Sequence, residues 1–243
     1  MRLRSDKILL DAHTHTLASG HAYGTIREMA AAAREQGLEL LGISEHAAGI
    51  PGTCDELYFM NLEVVPRRLE GVDLLLGSEV NILSDGTLSM SDTLMSTLDY
   101  CIAGVHAFCY TDGGLEGNTQ NMLRAMESPY VSIIAHPDDS TFPVDYGRIV
   151  PAAKELGVLL EVNNNSLRKG NIRRPGCEDN YRVMLELCKR YQAPVLFSSD
   201  AHDPSDVKNM SAILKYMETV DFPEELVVNL STERFLRYIT GRR

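Results

Sequence analysis

Residues 25–46, TIREMAAAAREQGLELLGISEH, contain the unit from which the fold is read. Thr25 is suited to cap a helix. Glu28, three residues later, completes a capping box, in which each side chain takes up a backbone N–H that the first turn leaves free. The amphipathic stretch runs to Gln36, and Gly37 stops it, because glycine accepts the left-handed conformation that closes a helix. Leu38–Ser44 follows as an apolar run too short for a helix, which predicts a buried strand. His46 stands just beyond its end.

The same rhythm extends in both directions. Apolar runs at Ile8–Asp11, Val72–Val80, Tyr100–Val105, Val131–Ala135, Val158–Asn163 and Val195–Ser199 bring the predicted strands to seven. Amphipathic stretches alternate with them at Glu56–Leu69, Asn118–Met126, Tyr146–Leu156, Asp179–Tyr191 and Ser205–Tyr216, and Ser231–Thr240 adds a capped helix with no strand of its own. Such alternation specifies βα units and a parallel sheet. The first loop carries no GxGxxG, so a dinucleotide-binding open sheet is not supported. Consecutive units without a linker predict an α/β fold, a distorted (β/α)7 barrel of TIM type, as one domain over residues 1–243.

Composition narrows the function. With 44% hydrophobic and 23% charged residues, the 243-residue chain has the make-up of a soluble globular protein. A net charge of −11 makes it a poor partner for nucleic-acid polymers or anionic membranes, which attract clustered Lys and Arg. The five cysteines form no CxxC pair, which argues against a disulfide framework and a thiolate zinc site. The first residues hold two arginines but only a three-residue apolar run, Ile8–Leu10, so neither a signal peptide nor a membrane span is expected. A cytoplasmic location follows as the expectation.

The histidines carry the chemical signal. A lone histidine is more often a surface or core residue than a ligand. Here His13, His15 and His21 follow the first predicted strand, His46 the second, His106 the fourth, His136 the fifth and His202 the seventh. Glu79 ends the third, and Asp200 stands two residues before His202. All nine fall where a parallel barrel opens its C-terminal face, the place where catalytic groups collect. In His13-x-His15 and Asp200-x-His202, strand alternation sends both side chains to the same side. Imidazole and carboxylate without thiolate suit zinc, manganese or iron. Nine candidates exceed one tetrahedral ion and suit two or three, with Glu79 as a bridge.

The ordered motifs Asp11-Ala-His13-Thr-His15, Ile43-Ser-Glu-His46, Gly77-Ser-Glu-Val-Asn81, Gly104-Val-His106, Ala135-His-Pro137 and Ser199-Asp-Ala-His202 resemble the PHP family, named for polymerase and histidinol phosphatase. His21–Thr25, Asn118–Met122, Glu161–Ser166, Glu178–Asn180 and Val220–Pro223 are similar to its YcdX-type phosphatase branch. The resemblance implies a distorted barrel, a trinuclear centre usually of zinc, and phosphoester hydrolysis. It assigns His13, His15, Glu79 and Asp200 to a first ion. Glu79 then bridges to a second ion with His106 and His136, and His21, His46 and His202 hold a third. Glu79, Asp200 and His202 become the catalytic residues.

Three divalent ions against two carboxylates leave a charge of about +4 at the base of the cleft, suited to a dianionic phosphate. The expected nucleophile is a hydroxide bridging two ions. Arg168, Lys169, Arg173 and Arg174 follow the sixth strand, either as phosphate ligands or as a solvated basic loop. Asn163, Asn164 and Asn165 either support the site or form the turn. The expectation is a metal-dependent phosphatase of a small phosphorylated metabolite, with homo-oligomerisation left open and with histidinol phosphate, nucleotide and sugar phosphate all open as substrates. An amidohydrolase-type C–N hydrolase and a non-enzymatic metal-bound module rank below it.

Overall fold

A computed structural model describes residues 3–241; Met1 and Arg2, part of the short basic start, and Arg242 and Arg243 lie outside the described residues. The capping box at Thr25 forms: Thr25 Oγ1 accepts from Glu28 N–H at 3.2 Å, and Glu28 Oε2 accepts from Thr25 N–H at 2.8 Å. It starts helix α1 (Ile26–Glu35), which leads into strand β2 (Leu40–His46). The remaining strands are β1 (Leu10–Asp11), β3 (Arg68–Leu69), β4 (Val72–Asn81), β5 (Cys101–Gly104), β6 (Val131–Ile134), β7 (Leu159–Asn163) and β8 (Val195–Ser198). The other helices are α2 (Glu56–Met60), α3 (Asp92–Met95), α4 (Gly114–Glu127), α5 (Tyr146–Leu156), α6 (Asn164–Arg173), α7 (Cys177–Tyr191), α8 (Ser211–Met217) and α9 (Thr232–Thr240).

Seven strands run parallel in the order β1-β2-β4-β5-β6-β7-β8 and curl into a nearly closed barrel. Both faces of the sheet are covered, and β2, β5, β6, β7 and β8 are buried along their whole length, as parallel strands must be. Apolar groups divide into two layers. One packs between sheet and helices; the other, including Leu10, Leu40, Tyr100, Ile133, Leu159 and Leu196, fills the barrel, with Phe235 and Ile239 of α9 among them. Tyr100 crosses that interior and donates to Ala12 O at 2.6 Å. Gly42 makes room for it: a Cβ there would stand 2.3 Å from the Tyr100 hydroxyl.

The seam between β8 and β1 is closed by other means. Near the C-terminal ends, Thr14 bridges to Ala201, and His15 N–H donates to Ala201 O at 2.8 Å. Lower down, the side chain of Asn229 stitches the edges, accepting from Phe197 N–H at 2.7 Å and donating to Phe197 O at 2.7 Å and Leu10 O at 3.1 Å.

Several expected boundaries shift. The helix expected over Glu56–Leu69 ends at Met60 and tightens into a 3-10 turn over Asn61–Val64, because Pro66 lacks the N–H needed to continue. Arg68 and Leu69 then form β3, an unforeseen antiparallel partner of β4 turned by Glu70 and Gly71, both with positive φ. Ser205–Tyr216 is a 3-10 turn over Pro204–Asp206 followed by α8. Most of the basic loop expected at Arg168–Gly176 is the second half of α6, broken by non-helical Gly170 (φ 57°, ψ −164°).

Candidate metal centre

The barrel brings all nine predicted ligands to one place above its C-terminal end. His46 is the last residue of β2 and Glu79 lies two residues before the end of β4, so both are fixed by strand pairing. His106 and His136 stand two residues past β5 and β6. His136 (φ 31°) and Asp200 (φ 54°) both occupy left-handed backbone, strain of the kind that collects at functional sites.

Glu79 is the hub. Its Oε2 lies 2.8 Å from His46 Nδ1, 3.3 Å from His13 Nε2 and 3.6 Å from His15 Nε2. Its Oε1 lies 2.9 Å from His136 Nε2 and 3.2 Å from His106 Nε2. Asp200 Oδ1 stands 3.4 Å from His15 Nε2 and 3.7 Å from His13 Nε2. His21 and His202 meet through their Nε2 atoms at 3.2 Å. Three sets of converging donor atoms result: His13, His15 and Asp200; His46, Glu79 and His106; His15, His46 and His202.

The outer nitrogens of these rings are occupied. His13 Nδ1–H donates to Glu161 Oε1 at 2.6 Å, His15 Nδ1–H to Ser19 Oγ at 3.0 Å and His106 Nδ1–H to Asn81 Oδ1 at 2.8 Å. His21 Nδ1–H and His202 Nδ1–H donate to the carbonyls of Ser19 and Asp200, at 3.0 and 2.9 Å. Each proton placed outward leaves a lone pair turned inward. These lone pairs face carboxylate oxygens or, between His21 and His202, each other, and His13 Nε2, His15 Nε2 and His46 Nδ1 are buried with no hydrogen-bond partner. A positive charge relieves such an arrangement, whether a proton or a metal ion brings it, and the converging imidazoles and carboxylates fit divalent metal ions.

Electrostatics agree with this. Burial raises the Glu79 carboxyl's pKa, but His106, His13 and His46 outweigh it and hold the group well below the usual value. The same contest, won by His13, His15 and His202, keeps Asp200 ionised. Burial lowers His106 to about 4, and burial together with His46 holds His15 well below the ordinary imidazole value. His13 is the exception: burial opposes its charge, yet Glu161, Glu79 and Asp200 raise it well above 6.5.

A second layer orients the first, and sequence reasoning assigned it no role. Glu161 is fully buried and accepts from His13, from the Ser198 hydroxyl and from His136 N–H at 2.6 Å. Glu45 accepts from Ser19 Oγ at 2.6 Å, and Ser19 in turn accepts from His15 and from His46 N–H at 3.0 Å. Asp11 ties β1 to the last loop through Ser199 and Lys208 N–H. The signal lay in the quoted motifs, where Asp11, Glu45 and Glu161 stand beside ligands or in strands.

The asparagines support the site: Asn163 and Asn165 approach Asp200 Oδ2 at 3.4 and 3.3 Å, while Asn164 accepts from Ala212 and Ile213 N–H of α8. The four basic residues separate. Arg168 is paired with both oxygens of Asp206 at 3.0 Å and with Asn165. Lys169 and Arg173 are exposed, and Lys169 lies within electrostatic reach of Asp200. Arg174 alone reaches the imidazole cluster, its Nη1 lying 3.4 Å from His136 Nδ1 and 3.9 Å from Asp139 Oδ2. Beside it, burial pushes the Asp138 carboxyl up to about 6, with Tyr181 and Ser166 hydroxyls donating to it.

The PHP domain matches residues 11–142, which carry seven of the nine candidate ligands. A probable phosphatase of Clostridium novyi is 37% identical over 97% of this chain and 96% of its own. One from Acetivibrio thermocellus is 38% identical over 98% and 97%. Among solved structures, histidinol phosphate phosphatase from Lactococcus lactis, complexed with zinc, L-histidinol and phosphate, superposes with a TM-score of 0.55 at 17% identity over 86% of this chain and 94% of its own. Archaeal ribonuclease P with mature tRNA contains a chain that matches at 0.56 and 16%, over 96% and 90%. At these identities the likeness concerns the fold.

Proposed function

The chain belongs to the PHP-domain family, and from that membership we propose that it is a metal-dependent phosphatase acting on a small phosphomonoester. One observation carries the reading: imidazole lone pairs and two ionised carboxylates converge at the C-terminal ends of the strands, with Glu79 presenting one oxygen to each side. The names of the relatives support the reaction class. The ion number we propose is three, zinc first and manganese or iron as alternatives, with the ligand sets given by the resemblance. When bound, such ions supply Lewis acidity, neutralising phosphate oxygens and acidifying water.

The chain's own groups do the rest. Glu161 and the Glu45–Ser19 pair lock the His13 and His15 rings so that Nε2 faces inward. Arg174 supplies a guanidinium beside the cluster that can grip a phosphate oxygen, with Lys169 and Arg173 adding positive charge at the mouth. Arg168 contributes to the wall through Asp206 and is the weakest candidate for direct contact. Phosphate release from a panel of phosphorylated metabolites, with and without chelator, tests the proposal. Release that chelator abolishes and metal restores is expected; release indifferent to chelator, or none from any monoester, overturns it.

A further inference from the structure

Three of the sixteen aromatic side chains, Tyr23, Phe108 and Tyr191, are exposed among the described residues. Two of them stand at the metal centre. Tyr23 is 75% exposed, two residues after His21, and its N–H donates to His202 O at 2.8 Å. Phe108 is 74% exposed, two residues after His106, at the outer corner of the turn that Cys109 N–H closes on His106 O at 3.1 Å. The rings of His21, His46 and His106 form a continuous path between them, with centroids 5.0 and 5.2 Å apart. Each loop thus ends in a ligand pointing in and an aromatic ring left in water.

Single exposed apolar groups need no explanation, but two aromatic rings flanking one polar centre form a surface that a ligand covers. Two residues of chain span at most roughly 6.5 Å, and somewhat less across the turn from His106 to Phe108. That is about the width of one sugar, so a ring resting on Tyr23 or Phe108 is one sugar away from a phosphate at the histidines. We propose, building on the phosphatase reading, that the substrate is a nucleoside monophosphate type of ester, with phosphate at the metal centre and a planar base stacked on Tyr23 or Phe108. Base–aromatic stacking tolerates any base, because every base has a π-face.

The test compares adenosine 5′-monophosphate with ribose 5-phosphate, which carry the same ester and differ in the base. Equilibrium binding by calorimetry and phosphate release are both measured on the metal-loaded protein. The nucleotide is expected to bind about tenfold more tightly, and the ratio to fall close to one in Tyr23→Ala/Phe108→Ala. Tyr191→Ala, at the far end of α7, is expected to leave the ratio intact. Equal affinity for the two probes, or a ratio unchanged in the double variant, overturns the proposal. Absence of phosphate release from both probes counts against the phosphatase reading alone, since the binding ratio still decides the role of the rings.

Discussion

Glu79 carries a full negative charge in a buried setting and offers a different oxygen to each group of imidazoles. Glu79→Gln keeps the shape and removes the charge that holds two sets of donors together. Turnover at saturating substrate is expected to fall by ~10³ or more, with metal content by elemental analysis falling in parallel. Arg174→Ala should behave differently, because a guanidinium that grips phosphate acts on ground and transition states alike. KM is expected to rise by the equivalent of ~1.5–3 kcal/mol with metal retained; an unchanged KM would remove Arg174 from the substrate site. Glu161→Ala leaves His13 free to rotate or take the wrong tautomer, and metal affinity is expected to weaken about 10–100-fold in competition titrations. The nine inward groups were legible because they are histidines and acids placed at or just past the C-terminal ends of strands. Glu161 and Glu45 were not, since their roles come from contacts across 148 and 26 residues of sequence.

Elements show a similar division. Strand positions were readable from short apolar runs, and the capping box at Thr25 fixed α1 almost to the residue. The stretch after Glu56 misled because its apolar spacing continues past the point where Pro66 removes the backbone donor. Arg168–Gly176 holds Gly170 and the Pro175-Gly176 pair, which disfavour helix, yet the Asn163 side chain accepts from Ser166 N–H and starts a helix there. Least legible of all was the seam, since nothing local marks Asn229 as a replacement for strand pairing. Asn229→Ala would leave Phe197 N–H, Phe197 O and Leu10 O without their side-chain partner in the barrel wall. A loss of about 3 kcal/mol in denaturant-unfolding stability is expected. A change under ~1 kcal/mol would mean that β1 and β8 close without the stitch.

Across the whole molecule, the proposed metal ions and protons would compete for one buried cluster, and the folded state would feel the result. Without metal, burial holds His15, His21 and His106 below the ordinary imidazole value, so their contribution to stability is lost as pH falls below 6.5. His13 has the opposite sign. Its folded pKa is raised, so the stability from its charged contacts with Glu161, Glu79 and Asp200 is present below 6.5 and lost as pH rises through the folded value. The metal-free chain should therefore be most stable near pH 6.5, with its melting temperature declining toward pH 8.5. The proposed metal ions would replace the proton on His13, and their binding would strengthen as protons leave. The loaded protein should hold or raise its melting temperature over the same interval. Ions present at ~1,000 times their dissociation constant stabilise by about 4 kcal/mol per site, so chelation at pH 8 should lower the melting temperature by about 10 °C or more. Calorimetric scans with and without chelator at pH 6.5, 7.5 and 8.5 measure both slopes. If the two forms melt together at pH 8.5, or if the metal-free form gains stability toward alkaline pH, the imidazole cluster is not exchanging a proton for a cation.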